Sequence, residues 1–305
     1  MAPPDGLWIA LTIGAAFAQT FRNAAQRHLT ASLGTLGATL VRFLYGLPFA
    51  LAYLVAVAAI GANAWPALNT AFVVWVALGA VTQLAAAALL VQVMHERNFA
   101  LGVAYSKTDV MLVAIFAFLL LGETVTPVLA TAIGVGTLGV MLLSPADPRH
   151  PLFALLSGWT SRTALLGLAC GANFAFSGVC LRAAALALPG VHFAMAAAII
   201  LCGAQLLQTL LLGGWLFARE AHTIVLICRE WRTSLFAGCM GATASVGWYT
   251  AMTIEPVAHV RTLGLIELLF GYVVSRRFFR EKLAPREIAG MALLTLGLMI
   301  VTLFR

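Results

Sequence analysis

Two charged residues of opposite sign lie in the middle of a long apolar stretch. Residues 98–127 read NFALGVAYSKTDVMLVAIFAFLLLGETVTP, with Lys107 and Asp109 near the centre. A bilayer's hydrocarbon core is about 30 Å thick and takes about 20 apolar residues of helix, so both charges are expected near its midplane. A charge there costs roughly 2.5–3.5 kcal/mol on insertion scales and is tolerated when it faces a polar cavity or a partner. The sequence therefore predicts a solute path along this stretch.

Lys107 and Asp109 are two residues apart, so they point to different faces of a helix and are not expected to pair with each other. Asp109 shares a face with Tyr105 and Ser106. We expect these groups to line a polar cavity. The alternative is a structural charge pair between helices, for instance Asp109 with Arg42.

A second group of charges lies in a later apolar span. Glu267 is mid-span, and Arg261 lies six residues earlier, nearer the outer face. Such a mixture of signs suits a substrate that carries both an ammonium and a carboxylate, and the carboxylates can also carry protons. The alternative for Arg261 is that its side chain reaches the outer headgroups.

Aromatic and amide side chains complete the candidate site. Trp248 and Tyr249 follow a glycine-rich span, and they can either wall a cavity for an apolar side chain or belong to the interfacial aromatic belt. Gln83 is a weaker candidate, because an amide can simply bridge two helices. The glycines beside Trp248 are expected to allow close helix packing.

Composition places these residues in a membrane. The chain is 62% hydrophobic and 10% charged, whereas soluble domains have about 25% charged residues. The basic residues are dispersed, so nucleic acid is not expected as a partner, whereas membrane lipid is. No enzyme motif, metal-ligand spacing or ATP-binding loop is found, so no catalytic residue, metal or cofactor is predicted and any active transport would use a gradient.

The chain is predicted to be an all-α integral membrane protein with ten transmembrane helices, arranged as two five-helix repeats around a central cavity. The predicted spans are 7–29, 36–60, 70–93, 98–121, 125–143, 163–187, 191–217, 233–253, 257–279 and 285–304. The proline-rich segment 144–162 is the predicted linker between the repeats, residues 1–143 and 163–305.

The two predicted halves align with each other when shifted by 158 residues. This shift places Asp109 on Glu267 and Pro127 on Pro285, without a gap from the third span to the fifth. Because five spans is an odd number, the two copies must enter the membrane from opposite sides. The pattern predicts an inverted repeat, which is common in secondary transporters.

Basic residues predict the orientation. Of 18 lysines and arginines, twelve lie in or next to the connections on one side, only Arg182 and Arg305 lie towards the other, and the remaining four lie within spans. The positive-inside rule then places both termini outside the cytoplasm.

Each half carries a Glu at the end of its fourth span, a Pro four residues later and a Gly sixteen residues later. These residues are Glu123, Pro127 and Gly139, then Glu281, Pro285 and Gly297. With the helix count, they resemble the drug/metabolite transporter superfamily, specifically its ten-helix EamA-type exporters. That family often has an acid-Pro pair in the fourth and ninth helices, whereas Val110 and Leu268 follow the acids here, which argues against a proline kink.

The resemblance implies a secondary transporter in the bacterial inner membrane that exports small metabolites. Exporters of amino acids, including aromatic ones, are the nearest type. Drugs, nucleotide sugars and a lipid-carrier flippase are alternatives within the superfamily, and a membrane enzyme is an alternative outside it. An oligomer is not required.

Overall fold

A computed structural model of the chain describes residues 4, 6–60, 65–96, 106, 107, 109–122, 126–128, 130, 131, 134, 135, 138, 139, 162–280 and 285–303. Within these residues all regular structure is helical. Tyr105, Glu123, Glu281 and nearly all of the predicted linker lie outside the described residues.

The helices occupy most of the described chain. The first four are α1 (Leu7–Leu44), α2 (Leu47–Ile60), α3 (Thr70–Glu96) and α4 (Asp109–Leu121). The next four are α5 (Arg162–Leu186), α6 (Phe193–Arg219), α7 (Ala221–Arg229) and α8 (Trp231–Ile254). The last three are α9 (Val257–Leu263), α10 (Glu267–Arg277) and α11 (Pro285–Leu303), with a short 3₁₀ turn, Gly264–Ile266, between α9 and α10.

Five helical segments are long and apolar enough to cross a membrane. They are Leu7–Ile60, Thr70–Glu96, Leu165–Leu186, Phe193–Arg219 and Val257–Arg277. Large apolar side chains on their outer faces are exposed, as Val55 and Phe217 show, while arginine, glutamine and glutamate side chains are buried inside. This arrangement fits a membrane-embedded protein, because lipid solvates apolar surface and polar groups must find partners within the bundle.

Gly34 divides α1 into two antiparallel segments. Its φ is 67° and its ψ is 178°, a backbone conformation open to glycine alone. The Gln26 side chain donates to the Ala38 carbonyl at 2.9 Å, whereas residues twelve apart in a straight helix are about 18 Å apart. The predicted first and second spans therefore form a hairpin, with α2 continuing the second span.

The predicted ninth span contains a 3₁₀ turn. Backbone hydrogen bonding changes to the 3₁₀ pattern at Gly264–Ile266, and α10 then begins at Glu267. A β-carbon on Gly264 would lie 2.5 Å from the Trp248 ring, so the 3₁₀ turn packs closely against that indole. The backbone stays right-handed helical on both sides of Gly264–Ile266, and Val257–Arg277 remains one apolar segment.

The connection after α6 is itself helical. The short helix α7 buries Thr223 and Ile227 and leaves most of its other residues exposed.

The most extensive helix packing is between α1 and α8. Two α8 glycines make it possible: a β-carbon on Gly238 would lie 2.5 Å from the backbone of Tyr45, and one on Gly247 would lie 2.8 Å from the carbonyl of Leu11. These contacts confirm the packing role predicted for the glycines of the eighth span.

Gly238→Ala is expected to destabilise the protein, because the added methyl group would overlap backbone atoms that cannot rotate away. Gly214→Ala is the matched control, since no atom lies within 4 Å of its β-carbon position. Thermal unfolding in detergent should show a lower Tm for Gly238→Ala and no decrease for Gly214→Ala. Equal Tm values for the two variants would contradict the packing at α1 and α8.

Candidate functional site

Glu267 is the most highly bonded carboxylate of the described protein interior. It is 1% exposed and forms an ion pair with Lys107. The Gln19 side chain donates to Oε2 at 2.7 Å, and Asn23 donates to Oε1 at 3.0 Å. Three donors from two other parts of the chain thus bond to this buried carboxylate. Burying its charge without such partners would be very unfavourable.

A second ion pair joins Arg261 and Asp109, with 3.3 Å between Nη1 and Oδ2. The Arg261 guanidinium also lies 5.3 Å from the Trp248 ring centroid, within cation–π range. Arg261 is only 8% exposed. The alternative in which it reaches the headgroups was therefore wrong. Asp109 does form the charge pair between helices that was the alternative to a polar cavity, but its partner is Arg261 and not Arg42.

We call Lys107, Asp109, Arg261 and Glu267 the charged cluster. Its two ion pairs cross between predicted halves of the chain, because Lys107 and Asp109 precede the linker and their partners follow it. As predicted, Lys107 and Asp109 do not pair with each other.

Both carboxylates of the charged cluster occupy the first residue of a helix. Asp109 begins α4 and Glu267 begins α10. The backbone amide of Val110 bonds to the Lys107 carbonyl at 3.2 Å, which forms the turn into α4. The positive end of a helix dipole stabilises a carboxylate at the start of α4. The Glu267 backbone amide, in contrast, already bonds to carbonyls of the 3₁₀ turn before it.

The α1 side chains that hold Glu267 were not among the residues predicted for the site. Gln19 and Asn23 are one helical turn apart, and Arg22 donates to the Asn23 side-chain oxygen at 2.7 Å from Nη2 and 3.2 Å from Nε. A signal was present in the sequence. Five buried polar residues recur on one face of the first span, at positions Thr12, Gln19, Asn23, Gln26 and Thr30; this spacing marks a helix face directed into a protein interior.

Trp248 and Tyr249 are buried, at 5% and 4% exposure. Trp248 Nε1 donates to the Gln19 side-chain oxygen at 3.0 Å, and the Tyr249 hydroxyl donates to the Gln83 oxygen at 2.9 Å. The interfacial-belt interpretation was therefore wrong for both rings. Gln83 also accepts from Gln208 at 2.8 Å, so it bridges α3, α6 and α8.

Eight of the nine predicted site residues are described, and all eight are buried. Lys107, Asp109, Arg261 and Glu267 come together with Trp248. Tyr249 and Gln83 form a neighbouring pair, and Ser106 is adjacent to Lys107 in the chain. Tyr105 lies outside the described residues.

A lateral pocket of about 420 Å³ lies away from these residues, between α1, α8 and α10. It is lined mainly by apolar and aromatic side chains, among them Phe21, Phe236, Phe278 and Phe279, with His28 and Thr233. None of the predicted site residues lines it. The charged cluster is closed to solvent in this conformation.

No protein-family model matches the sequence, and no curated protein matches it. The fold is nevertheless similar to that of a protein of known crystal structure, with a TM-score of 0.65 over 97% of this chain and 96% of that one. The two chains are 17% identical, so the likeness shows the fold alone.

Lys107→Met is expected to destabilise the protein, because it leaves the Glu267 carboxylate buried without a cation. Removing one member of a buried pair costs about 3–5 kcal/mol, whereas replacing both members is often neutral. The double variant Lys107→Met/Glu267→Gln should therefore recover much of the lost stability, measured as Tm in detergent.

Arg162→Met is the matched control for that experiment. Arg162 forms a pair with Glu96 at 3.3 Å, but its side chain is 79% exposed, and such pairs contribute little. An unchanged Tm for Lys107→Met, or a double variant less stable than the single one, would contradict the assignment.

Proposed function

We propose that this protein is a secondary transporter that exports small metabolites, most simply amino acids, by alternating access. The observation that carries the proposal is the charged cluster, which is buried at the starts of two helices within an apolar bundle. Charged residues inside membrane segments most often mark substrate or ion pathways. No catalytic residue is assigned.

The proposal includes ten transmembrane helices in two inverted five-helix repeats around a central cavity. Local structure at the acids supports it: α4 begins at Asp109 and α10 begins at Glu267, which are the residues that the shift of 158 aligns. Interrupted helices at corresponding positions of two halves are typical of transporter binding sites. The resemblance to EamA-type exporters of the drug/metabolite transporter superfamily supports the same architecture.

The orientation follows from charge. The excess of basic residues in one set of connections favours a bacterial inner-membrane protein with both termini outside the cytoplasm. Membrane lipid is the surrounding partner, and protons can act as the coupling ion by binding to Asp109 or Glu267.

The charged cluster can bind a solute by exchanging partners. An incoming ammonium group can replace Lys107 at Glu267, while the solute's carboxylate pairs with the released Lys107 or with Arg261. Each buried charge then keeps a partner throughout, which avoids the cost of an unpaired ion in an apolar interior. Trp248 and Tyr249 offer adjoining aromatic surface for an apolar side chain.

A lipid-carrier flippase is the second candidate, and the lateral pocket favours it. Phe236 and Phe278 line that pocket and are 46% and 68% exposed on the outer surface of the bundle. An acyl or isoprenoid chain would fit such a lining. The charged cluster does not line this pocket, so the flippase candidate assigns no role to the buried charges.

The deciding experiment is counterflow. Purified protein is placed in liposomes preloaded with an unlabelled amino acid, and uptake of the same radiolabelled compound is followed. We expect saturable uptake for part of the amino-acid series, and Lys107→Ala should lower the initial rate about tenfold or more, as expected for the loss of a hydrogen bond to a charged group.

Arg162→Ala, at the exposed pair, should retain wild-type counterflow. Absence of counterflow for every amino acid, with folded and inserted protein, would remove the amino-acid assignment. Wild-type rates in a folded Lys107→Ala variant would remove the charged cluster from the transport path. Exchange of a polyprenyl phosphate instead would favour the flippase.

A further inference from the structure

Among the described residues, the interior contains more positive than negative charge. Arg22 and Arg42, both on α1, are 0% and 3% exposed, and neither forms an ion pair with a carboxylate in the described part of the chain. Glu255 is also buried, but it is bonded to His259 at 2.7 Å where α8 meets α9. The remaining buried charges of the described residues are four cations, namely Arg22, Arg42, Lys107 and Arg261, and two carboxylates, Asp109 and Glu267.

The two arginines lie at the same height in the α1 hairpin. Gln26 bonds to Ala38 across the two antiparallel segments. Arg22 lies four residues before Gln26, and Arg42 lies four residues after Ala38. The two arginines are therefore the same distance along the helix axis from the Gln26–Ala38 bond, on the same side of it. A β-carbon on Gly241 of α8 would lie 3.2 Å from Arg22 Cδ and 3.4 Å from Arg42 Cγ. Both side chains therefore pass the same point of α8.

Their hydrogen-bonding groups are incompletely used. Arg22 donates hydrogen bonds from Nε and Nη2 to the Asn23 side-chain oxygen, and its Nη1 is buried without an acceptor. Arg42 Nε is likewise buried without one, and no side-chain hydrogen bond of Arg42 to another described residue is present. Buried guanidinium groups ordinarily bond to carboxylate or phosphate, whose geometry matches their planar fork.

These observations indicate that the two arginines can bind an anion. Two like charges at one level of an apolar bundle repel each other, and each carries a desolvation cost that only an opposite charge offsets. Asn23 connects Arg22 to the charged cluster, because it accepts from Arg22 and donates to Glu267. An anion bound here would therefore be in contact with the proposed solute path.

We propose that Arg22 and Arg42 bind an anionic group, a carboxylate or a phosphate, of the transported solute, and that the solute carries net negative charge. This inference rests on the proposed transport function and narrows its substrate class. A dicarboxylate or an acidic amino acid supplies the negative charge that Arg22 and Arg42, the two buried cations without a carboxylate, require. A neutral zwitterion does not.

Direct binding tests this proposal independently of transport. Radiolabelled succinate is equilibrated with the purified full-length protein, and glutamate, glutamine, succinamide, phosphate and chloride are added as competitors. We expect saturable succinate binding that glutamate displaces and that glutamine and succinamide, the uncharged analogues, do not. Displacement by phosphate at comparable concentration would identify the phosphate form of the same chemistry.

Arg22→Gln and Arg42→Gln should each weaken succinate binding about tenfold or more, the loss expected when a hydrogen bond to a charged group is removed. Arg42→Lys keeps the charge without the planar fork and should give an intermediate affinity. Arg232→Gln removes an exposed arginine and is the matched control. If the glutamine variants do not fold, the preference of the wild-type protein for succinate over succinamide still decides the question.

The proposal is overturned if neither succinate nor phosphate binds saturably, if chloride competes as well as glutamate, or if folded glutamine variants bind like the wild type. Counterflow of neutral amino acids without any anion binding would contradict the anion site and support the transport function. Anion binding without counterflow of any solute would support the anion site and contradict the transport function.

Discussion

The Glu267 carboxylate lies inside an apolar bundle, and Lys107, Gln19 and Asn23 converge on it. An unpaired carboxylate in such surroundings would cost several kcal/mol, which is a large part of a protein's total stability. The convergence requires α1, α10 and the turn before α4 to meet at one place. The hairpin at Gly34 and the glycine contacts between α1 and α8 bring α1 into that position. Much of the architecture can thus be understood as the means of compensating one buried charge.

The need to pair each buried charge also makes the interior suitable for binding a charged solute. Groups that are held by ion pairs and amide bonds can exchange those partners for the charges of a solute at small net cost, whereas an apolar core offers nothing to exchange. The conformation described here is closed around the charged cluster. Arg22 and Arg42 differ from the other buried charges because no carboxylate of the described residues pairs with them, and the proposal of an anionic solute rests on this difference.

The sequence predicted the charged residues but not their bonding. Lys107 and Asp109 were identifiable because two charges within 30 residues of apolar chain are costly, and the shift of 158 led directly to Glu267. Their partners could not be assigned, because pairing depends on which helices meet. Gln19 and Asn23 were not predicted, because an uncharged amide in an apolar span is a weaker signal than a charge. Their spacing nevertheless indicates a helix face directed into the protein interior.

Other expectations failed for similar physical reasons. The sequence did not indicate the 3₁₀ turn in the ninth span, which accompanies the contact of Gly264 with Trp248. Trp248 and Tyr249 have the composition of an interfacial belt, yet Gln19 and Gln83 provide the hydrogen bonds that allow both rings to be buried. Segment existence and apolar character follow from local sequence, whereas breaks and burial depend on tertiary partners.

Transport by alternating access requires the closed charged cluster to open to water. Ser106, which is 5% exposed beside Lys107, can be changed to cysteine in a variant that lacks the five native cysteines. In liposomes, a membrane-impermeant methanethiosulfonate reagent should label Ser106→Cys much faster than Ala204→Cys, a fully buried position on α6. Equally slow labelling at both positions would contradict the account, because it would show that the charged cluster stays closed and serves only to hold the helices together.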